Sequence, residues 1–259
     1  MNCPVPFNFD QYVAWHDQHV EPGSNIVASL TTLLESLKEN KTRFEKLAQL
    51  LEHLHTVLLR AKKTADEDVT SYKCEILLST QLSKGRYEDV FKSVNSIVDK
   101  LWRKNNNSSS YVTTENIKEN IKDLARSSII LSTHKFANDF SKALPNWRDK
   151  LHLNGISLED FSDISSITVE QEAKMASGYF AYHADVVYDD GVHVELQIYS
   201  QLNEIWRGLS HKLYEKTRLQ QDVEHGHGTS ASRLVSLGHL LHLAECEAER
   251  LQNDLSKKT

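Results

Sequence analysis

The sequence predicts an α/β protein of the α+β kind, a small mixed β-sheet flanked by helices, and three observations predict it. Nine Gly and four Pro in 259 residues lie well below the usual roughly 7% and 5%, which excludes collagenous, disordered and turn-rich all-β chains and leaves helix dominant. Across residues 24–63 apolar side chains recur at the three-and-four spacing of an amphipathic helix. Across residues 184–199 the period drops to two, the spacing of a half-buried strand. At this length one large domain or two small ones is the expectation, with ample chain to bury a core.

Taken in order, residues 1–23 are a mixed lead-in without a clear period. The stripe that follows runs Ile26, Leu30, Leu33, Leu34, Leu37, then Phe44, Leu47, Leu51, Leu54 and Leu58. It is interrupted at Glu39-Asn40-Lys41-Thr42, where Lys41 takes a core position and Asn40 or Thr42 can cap a new helix. Two helices, or one bent helix, are expected. The tract Asn-Asn-Asn-Ser-Ser-Ser at residues 105–110 reads as a flexible loop. Residues 127–132 contain the continuous run Ile129, Ile130, Leu131, the pattern of a buried central strand.

Residues 184–199 read as a hairpin around Asp189-Asp190-Gly191, because Asp-Gly accepts the positive backbone angles of a tight turn. In its second strand Val192, Val194, Leu196 and Ile198 share one face, which sends His193, Glu195, Gln197 and Tyr199 to the other. His225-Gly226-His227-Gly228 reads as a further loop. The last helix carries Leu234, Leu237, Leu241, Ala244, Ala248 and Leu251, a seam too short for a coiled coil and expected to pack on its own domain.

Charge and composition narrow the function classes. With 30 Lys plus Arg against 36 Asp plus Glu the chain carries a net charge of −6, which gives no long-range attraction to nucleic acid or to anionic membrane. No apolar run reaches the roughly 18 residues that cross a bilayer, and residues 1–9 lack the pattern of a signal peptide. Cys3, Cys74 and Cys246 are distant and odd in number, so no disulfide framework is expected and a cytoplasmic location without membrane contact fits best. Residues 84–104 hold six basic and three acidic side chains, whereas residues 157–195 hold nine acidic ones and a single Lys. Phosphate should meet the first segment. The second reads most simply as a solvated loop, although two or three of its carboxylates could serve a divalent metal.

Five pieces carry the chemistry. They are Lys92-Ser-Val-Asn-Ser96-Ile-Val-Asp-Lys100-Leu-Trp-Arg-Lys104; Asp123-Leu-Ala; Gly178-Tyr179-Phe-Ala-Tyr-His183; Val194-Glu195-Leu-Gln197-Ile; and Trp206 with His211 five residues on. In this order they resemble the RelA/SpoT-type alarmone (ppGpp) synthetase domain, which carries a Lys-Ser-x-x-Ser helix start, an Asp-Leu-Ala-Gly strand, a Gly-Tyr-x-x-x-His loop, a Glu-x-Gln-Ile strand and a Trp-x-x-x-x-His segment. The resemblance spans residues 78–216 and suits the small, single-domain members. It implies a nucleotidyltransferase-like synthetase fold with helical extensions at both ends: residues 1–70 as an N-terminal extension, 71–220 as the catalytic domain, and 221–259 as a loop and C-terminal helix.

The resemblance also implies an activity, Mg²⁺-dependent transfer of pyrophosphate from ATP to the 3′-hydroxyl of GDP or GTP. Asp123 and Glu195 would then share a metal, because Mg²⁺ takes few protein oxygens and bridges phosphates. Glu195 would also accept the acceptor's proton. Lys92, Lys100 and Lys104, with the amides of the helix start near Ser96, would hold donor phosphates. Tyr179 would stack on the acceptor base, and His183 and Gln197 would belong to the acceptor side.

The departures bear on activity. Val90 stands where the family has Arg, Arg126 and Ser128 stand for the Gly and Arg that follow Asp-Leu-Ala, and Phe180 and Tyr199 replace two further arginines. No other residue reproduces an Arg that forks to phosphate; Arg86 or Arg126 are the stand-ins the sequence offers. The family's final Tyr-Lys is shifted, leaving Tyr214 and Lys216. Two alternatives therefore stand beside the first reading: a degenerate member that binds a nucleotide or a protein without catalysis, and a pyrophosphokinase with another acceptor such as tRNA, which the acidic balance disfavours. Oligomerisation is left open. His16-Asp17 lacks room for the family's hydrolase domain, and His239, His242 and Cys246 lack the further ligands of a zinc site.

Overall fold

In the computed structural model, which describes residues 3–106, 108–174, 179–218 and 226–256, the N-terminal stripe forms two helices. Helix α2 (Ile26–Glu39) and helix α3 (Lys41–Thr64) are separated by Asn40, whose side chain accepts a hydrogen bond from the Arg43 amide at 3.3 Å. That cap satisfies a helix-start donor and ends the ambiguity at Lys41. Ile26, Leu30, Leu34, Leu37, Phe44, Leu47, Leu51 and Leu54 are all buried. The lead-in also contains a helix, α1 (Phe9–His19), which buries Tyr12, Trp15 and His16. Its buried positions are aromatic or histidine, so an aliphatic period does not reveal it.

A short strand β1 (Cys74–Ile76) and helix α4 (Leu77–Ser83) lead to helix α5 (Val94–Asn105), a single turn α6 (Ile117–Asn120) and strand β2 (Ala125–Leu131). Helices α7 (His134–Ala143) and α8 (Trp147–Leu153) precede strands β3 (Ile164–Lys174), β4 (Tyr179–Tyr188) and β5 (His193–Ser200), and helices α9 (Gln201–Arg218) and α10 (Ser230–Ser256) follow. The five strands form one mixed sheet in the order β1-β2-β5-β4-β3, with β2 and β5 parallel and the other neighbours antiparallel. This is the α+β class that the sequence predicts.

The hairpin of β4 and β5 turns at Gly191, whose φ of 75° suits glycine. Val194, Leu196 and Ile198 are buried on one face, while Glu195 and Gln197 stand half-buried on the other. Strand β3 corrects the reading of residues 157–195 as a solvated loop: eleven of them form an edge strand, ten of which are in register with β4. Its register shifts between Ile164 and Ser166, a bulge that breaks the alternation. The first residue of the tract at 105–110 ends α5 and is tied down. Asn105 is buried, its carbonyl accepts from the Val112 amide at 2.7 Å, and its amide donates to the Tyr12 hydroxyl and the Val112 carbonyl at 3.0 Å each. Asn107 and His225 lie outside the described residues.

Helix α10 packs on α9 through the first half of the expected seam, where Leu234, Leu237 and Leu241 are half-buried, and not through its second half. Gly238 and Glu245 are buried, whereas Ala244, Ala248 and Leu251 are exposed. The Glu245 carboxylate accepts from the Asn203 amide at 2.9 Å, its second oxygen has no hydrogen-bond partner among the described residues, and burial pushes its pKa up despite the bonds from Ser200 and Asn203. A carboxyl with a raised folded pKa destabilises the fold above that pKa and ceases to do so as the pH falls into the ordinary carboxylate range. Glu245→Gln, which can keep the Asn203 bond, is therefore expected to stabilise the protein at pH 7 by on the order of 0.5–1 kcal/mol, a gap that thermal unfolding should show narrowing toward acid pH. No helix among the described residues is long and apolar enough to cross a membrane.

Candidate functional site

The polar face of the sheet forms the floor of a cavity of about 490 Å³, and local chain pairing positions its first wall. Phe91 bridges to Ala125, and the Lys92 amide donates to the Leu124 carbonyl at 2.9 Å. This pins the segment before α5 against the start of β2 and brings Lys92 to Asp123. Ser93 then caps α5 by accepting from the Ser96 amide, so that Ser96 stands in the first turn on the cavity wall. Lys100, one turn further, reaches the same carboxylate. The two ammonium groups divide Asp123 between them, Lys92 on one oxygen at 2.7 Å and Lys100 on the other at 2.6 Å.

The energetics of this cluster are asymmetric. Burial pushes the Asp123 carboxyl up, but the bonds and charges of Lys100 and Lys92 outweigh it and hold its pKa down at about 2. For Lys92 the balance runs the other way: burial lowers its pKa more than Asp123 raises it.

Strands β4 and β5 furnish the opposite wall. Tyr179 and His183 lie on the same face of β4, and the Tyr179 hydroxyl meets His183 Nε2 at 2.9 Å. His183 sits between two carboxylates, with Nε2 at 2.9 Å from Glu172 and Nδ1 at 3.4 Å from Glu195. Gln197 donates to Glu195 and accepts from Arg207 on α9. Burial raises the pKa of Glu195, but the bonds from His183 and Gln197 prevail and keep it below its ordinary value, while the negative charge of nearby Asp123 pushes weakly upward. Ile130, Ala181 and Tyr199 make a small apolar cluster beside Tyr179, and Trp206 closes on Tyr179 at 5.8 Å between ring centroids. The Trp206 indole donates to the Leu234 carbonyl of α10 at 2.8 Å, which fixes its ring.

Lys92, Ser96, Tyr179, His183, Gln197, Trp206 and His211 all line this cavity, and Asp123, Lys100 and Glu195 adjoin it through the contacts above. Lys104 does not join them: it is exposed a turn beyond Lys100 and is not among the lining residues. Arg103 stands there instead, because seven residues from Ser96 return to the same helix face. Gly178 lies outside the described residues, and Tyr179 opens a strand rather than ending a loop. Tyr214 lines the cavity, whereas Lys216 faces a separate groove between α9 and α10.

The absent arginines are accounted for position by position. Val90 is fully buried and Ser128 is buried, so neither place presents a cation to the cavity. Phe180 turns to the other face, against His134 at 4.6 Å. Tyr199 is buried beneath the Arg207 guanidinium, which lies 5.0 Å from its ring and donates to its hydroxyl at 2.8 Å. Arg86 is exposed and paired with Asp89, while Arg126, Arg103 and Arg207 reach the cavity. Arg207 was legible only as the neighbour of Trp206, with no spacing to mark it.

No group of three or more metal-type side chains is assembled among the described residues; Cys246 and His242 approach to 3.8 Å without further ligands. Two hard carboxylates on adjoining chain segments, Asp123 and Glu195, nevertheless match what Mg²⁺ asks of a protein when phosphates complete its shell. Both oxygens of Asp123 are held by lysines, so Asp123 would have to release at least one ammonium to hold a metal.

No protein-family model matches the chain, and no curated protein matches it. Among solved structures it is similar to the small alarmone synthetase 1 from Bacillus subtilis, with 18% identity over 86% of this chain and 100% of that one at a TM-score of 0.47. The same enzyme bound to its product pppGpp gives 18% identity and a TM-score of 0.47, and bound to AMPCPP 19% and 0.45, each over 86% of this chain and all of that one. These likenesses are loose, and the functional reading rests on the residues of the site.

Proposed function

We propose that the cavity transfers pyrophosphate from ATP to the 3′-hydroxyl of a guanine nucleotide, GDP or GTP. The observation that carries this reading is convergence: pieces of sequence running from Lys92 to His211 wall one cavity of about 490 Å³, within the roughly 300–1,000 Å³ of small-molecule sites. In the reaction the acceptor's 3′-oxygen attacks the β-phosphorus of ATP, the bond from that phosphorus to the α-bridging oxygen breaks, and AMP leaves. The hydroxyl proton passes to Glu195, a carboxylate oriented by His183 and Gln197. Bound Mg²⁺, held by Asp123 and Glu195, supplies neutralisation of the phosphate charge.

Lys92 and Lys100 neutralise Asp123, so in the proposed reaction these lysines would turn to the donor phosphates and Asp123 would be left to hold Mg²⁺, which would supply the balancing positive charge. Tyr179, beside the apolar cluster of Ile130, Ala181 and Tyr199, offers its ring to the acceptor base. The three free cysteines suit a reducing cytosol.

One observation favours the degenerate reading: at position 90 an apolar, fully buried side chain stands in place of the family's cation. The arginines that do reach the cavity favour the active one. Incubation of the purified chain with Mg²⁺, labelled ATP and a panel of acceptors separates them. Label on GDP or GTP supports the proposal, label on the 3′ end of tRNA moves it to the other acceptor, and a folded protein that labels neither is the degenerate binder.

A further inference from the structure

Arg126 is the second residue of β2, and its parallel neighbour on β5 is Glu195. Side chains at paired positions emerge on the same face of a sheet, so Arg126 rises beside Glu195, lines the cavity, and is exposed. It makes no ion pair with Glu195 or with any other described residue. The other cations of the site are engaged: Lys92 and Lys100 on Asp123, Arg103 on Asp99 at 2.9 Å, and Arg207 on Tyr199 and Gln197. Arg126 is also the only arginine on the sheet among the described residues, on a face that carries Glu172, Asp185 and Glu195.

That face by itself repels a polyphosphate. A guanidinium left without a protein partner in such a cavity is poised for an anion from outside, and its fork can take two oxygens of one phosphate or one from each of two. Its charge already bears on Lys92 across the cavity. We propose that Arg126, with Lys92, is the polyphosphate clamp of the site, gripping the phosphates beyond the α-phosphate next to Glu195. This rests on the pyrophosphate-transfer reading and deepens it, since it makes the site select donors by the charge of the group to be moved.

Calorimetry on the full chain with Mg²⁺ tests the clamp, using α,β-methylene-ATP, inorganic tripolyphosphate and AMP as probes. Arg126→Ala should weaken the first two by at least about tenfold, as expected for lost charge-assisted hydrogen bonds, and leave AMP and the melting temperature unchanged. Arg126→Lys should recover only part of the loss, because a point charge replaces a fork. Undiminished binding of the analogue by Arg126→Ala overturns the clamp while the functional reading stands, and so does an equal loss for AMP. If the unmodified protein binds neither polyphosphate probe, the functional reading falls and the clamp with it.

Discussion

Replacing Glu195 with Gln is expected to lower pyrophosphate transfer by at least about 10²-fold, the low end for a group that handles a proton in the transition state. The substitution preserves shape, and the new amide can still accept from Gln197 through its carbonyl, but the charge that both metal and departing proton require is gone. His183 would lose an ionic neighbour and keep Glu172 at 2.9 Å. Because the carboxylate stands half-buried on the polar face of β5, stability should change by less than about 1 kcal/mol, the range of substitutions outside packed positions. Steady-state turnover alongside a thermal melt checks both. A fall in rate matched by an equal fall in the melting temperature would point to lost structure instead of lost chemistry.

Asp123→Asn should cost both activity and stability. Activity should drop by about 10²–10³-fold if, as proposed, Asp123 is one of two carboxylates that hold Mg²⁺ against the negative charge of the transferred group. Asp123 has its pKa held at about 2 by Lys100 and Lys92 against the opposing push of burial, below the roughly 3.9 of an unfolded chain. A depressed folded pKa means that the folded state prefers the carboxylate, so the stabilisation is complete above about pH 4 and disappears as the pH falls through about 2. It amounts to roughly 2–3 kcal/mol at neutral pH by the linkage relation. Unfolding curves of the two proteins should therefore lie apart at pH 7 and converge toward pH 2. A constant gap would mean that the Asn variant is destabilised by packing alone.

What the sequence disclosed follows from the range over which each signal acts. The hairpin was legible because Asp189-Asp190-Gly191 fixes a local turn and the alternation on either side is unbroken. The break at Asn40 was legible for the same reason, since a cap is a contact across three residues. Strand β3 was not, because the bulge at Ile164–Ser166 shifts the period and its acidic residues look like a solvated surface. Helix α10 was found with the first half of its seam half-buried at Leu234, Leu237 and Leu241, but Gly238 and Glu245 complete the inward face in place of Ala244, Ala248 and Leu251, and nothing in a hydrophobic period announces a buried carboxylate. In the candidate site, the pieces carrying Asp123, Tyr179 and Glu195 were visible as short motifs. The neighbourhood of Arg126 and Glu195 was not, because it arises from a parallel strand pair separated by 69 residues of intervening position difference, from 126 to 195. Arg103 was passed over for Lys104 by one residue, a step of about 100° around a helix.

The coproduct of the reaction tests the central claim most directly. With γ-labelled ATP, Mg²⁺ and GDP, mass spectrometry should find AMP and a labelled guanine nucleotide bearing two added phosphates on its 3′-oxygen, formed one for one and lowered together by at least about 10²-fold in Glu195→Gln. ADP as the coproduct, or AMP without label on the acceptor, would contradict pyrophosphate transfer at this cavity.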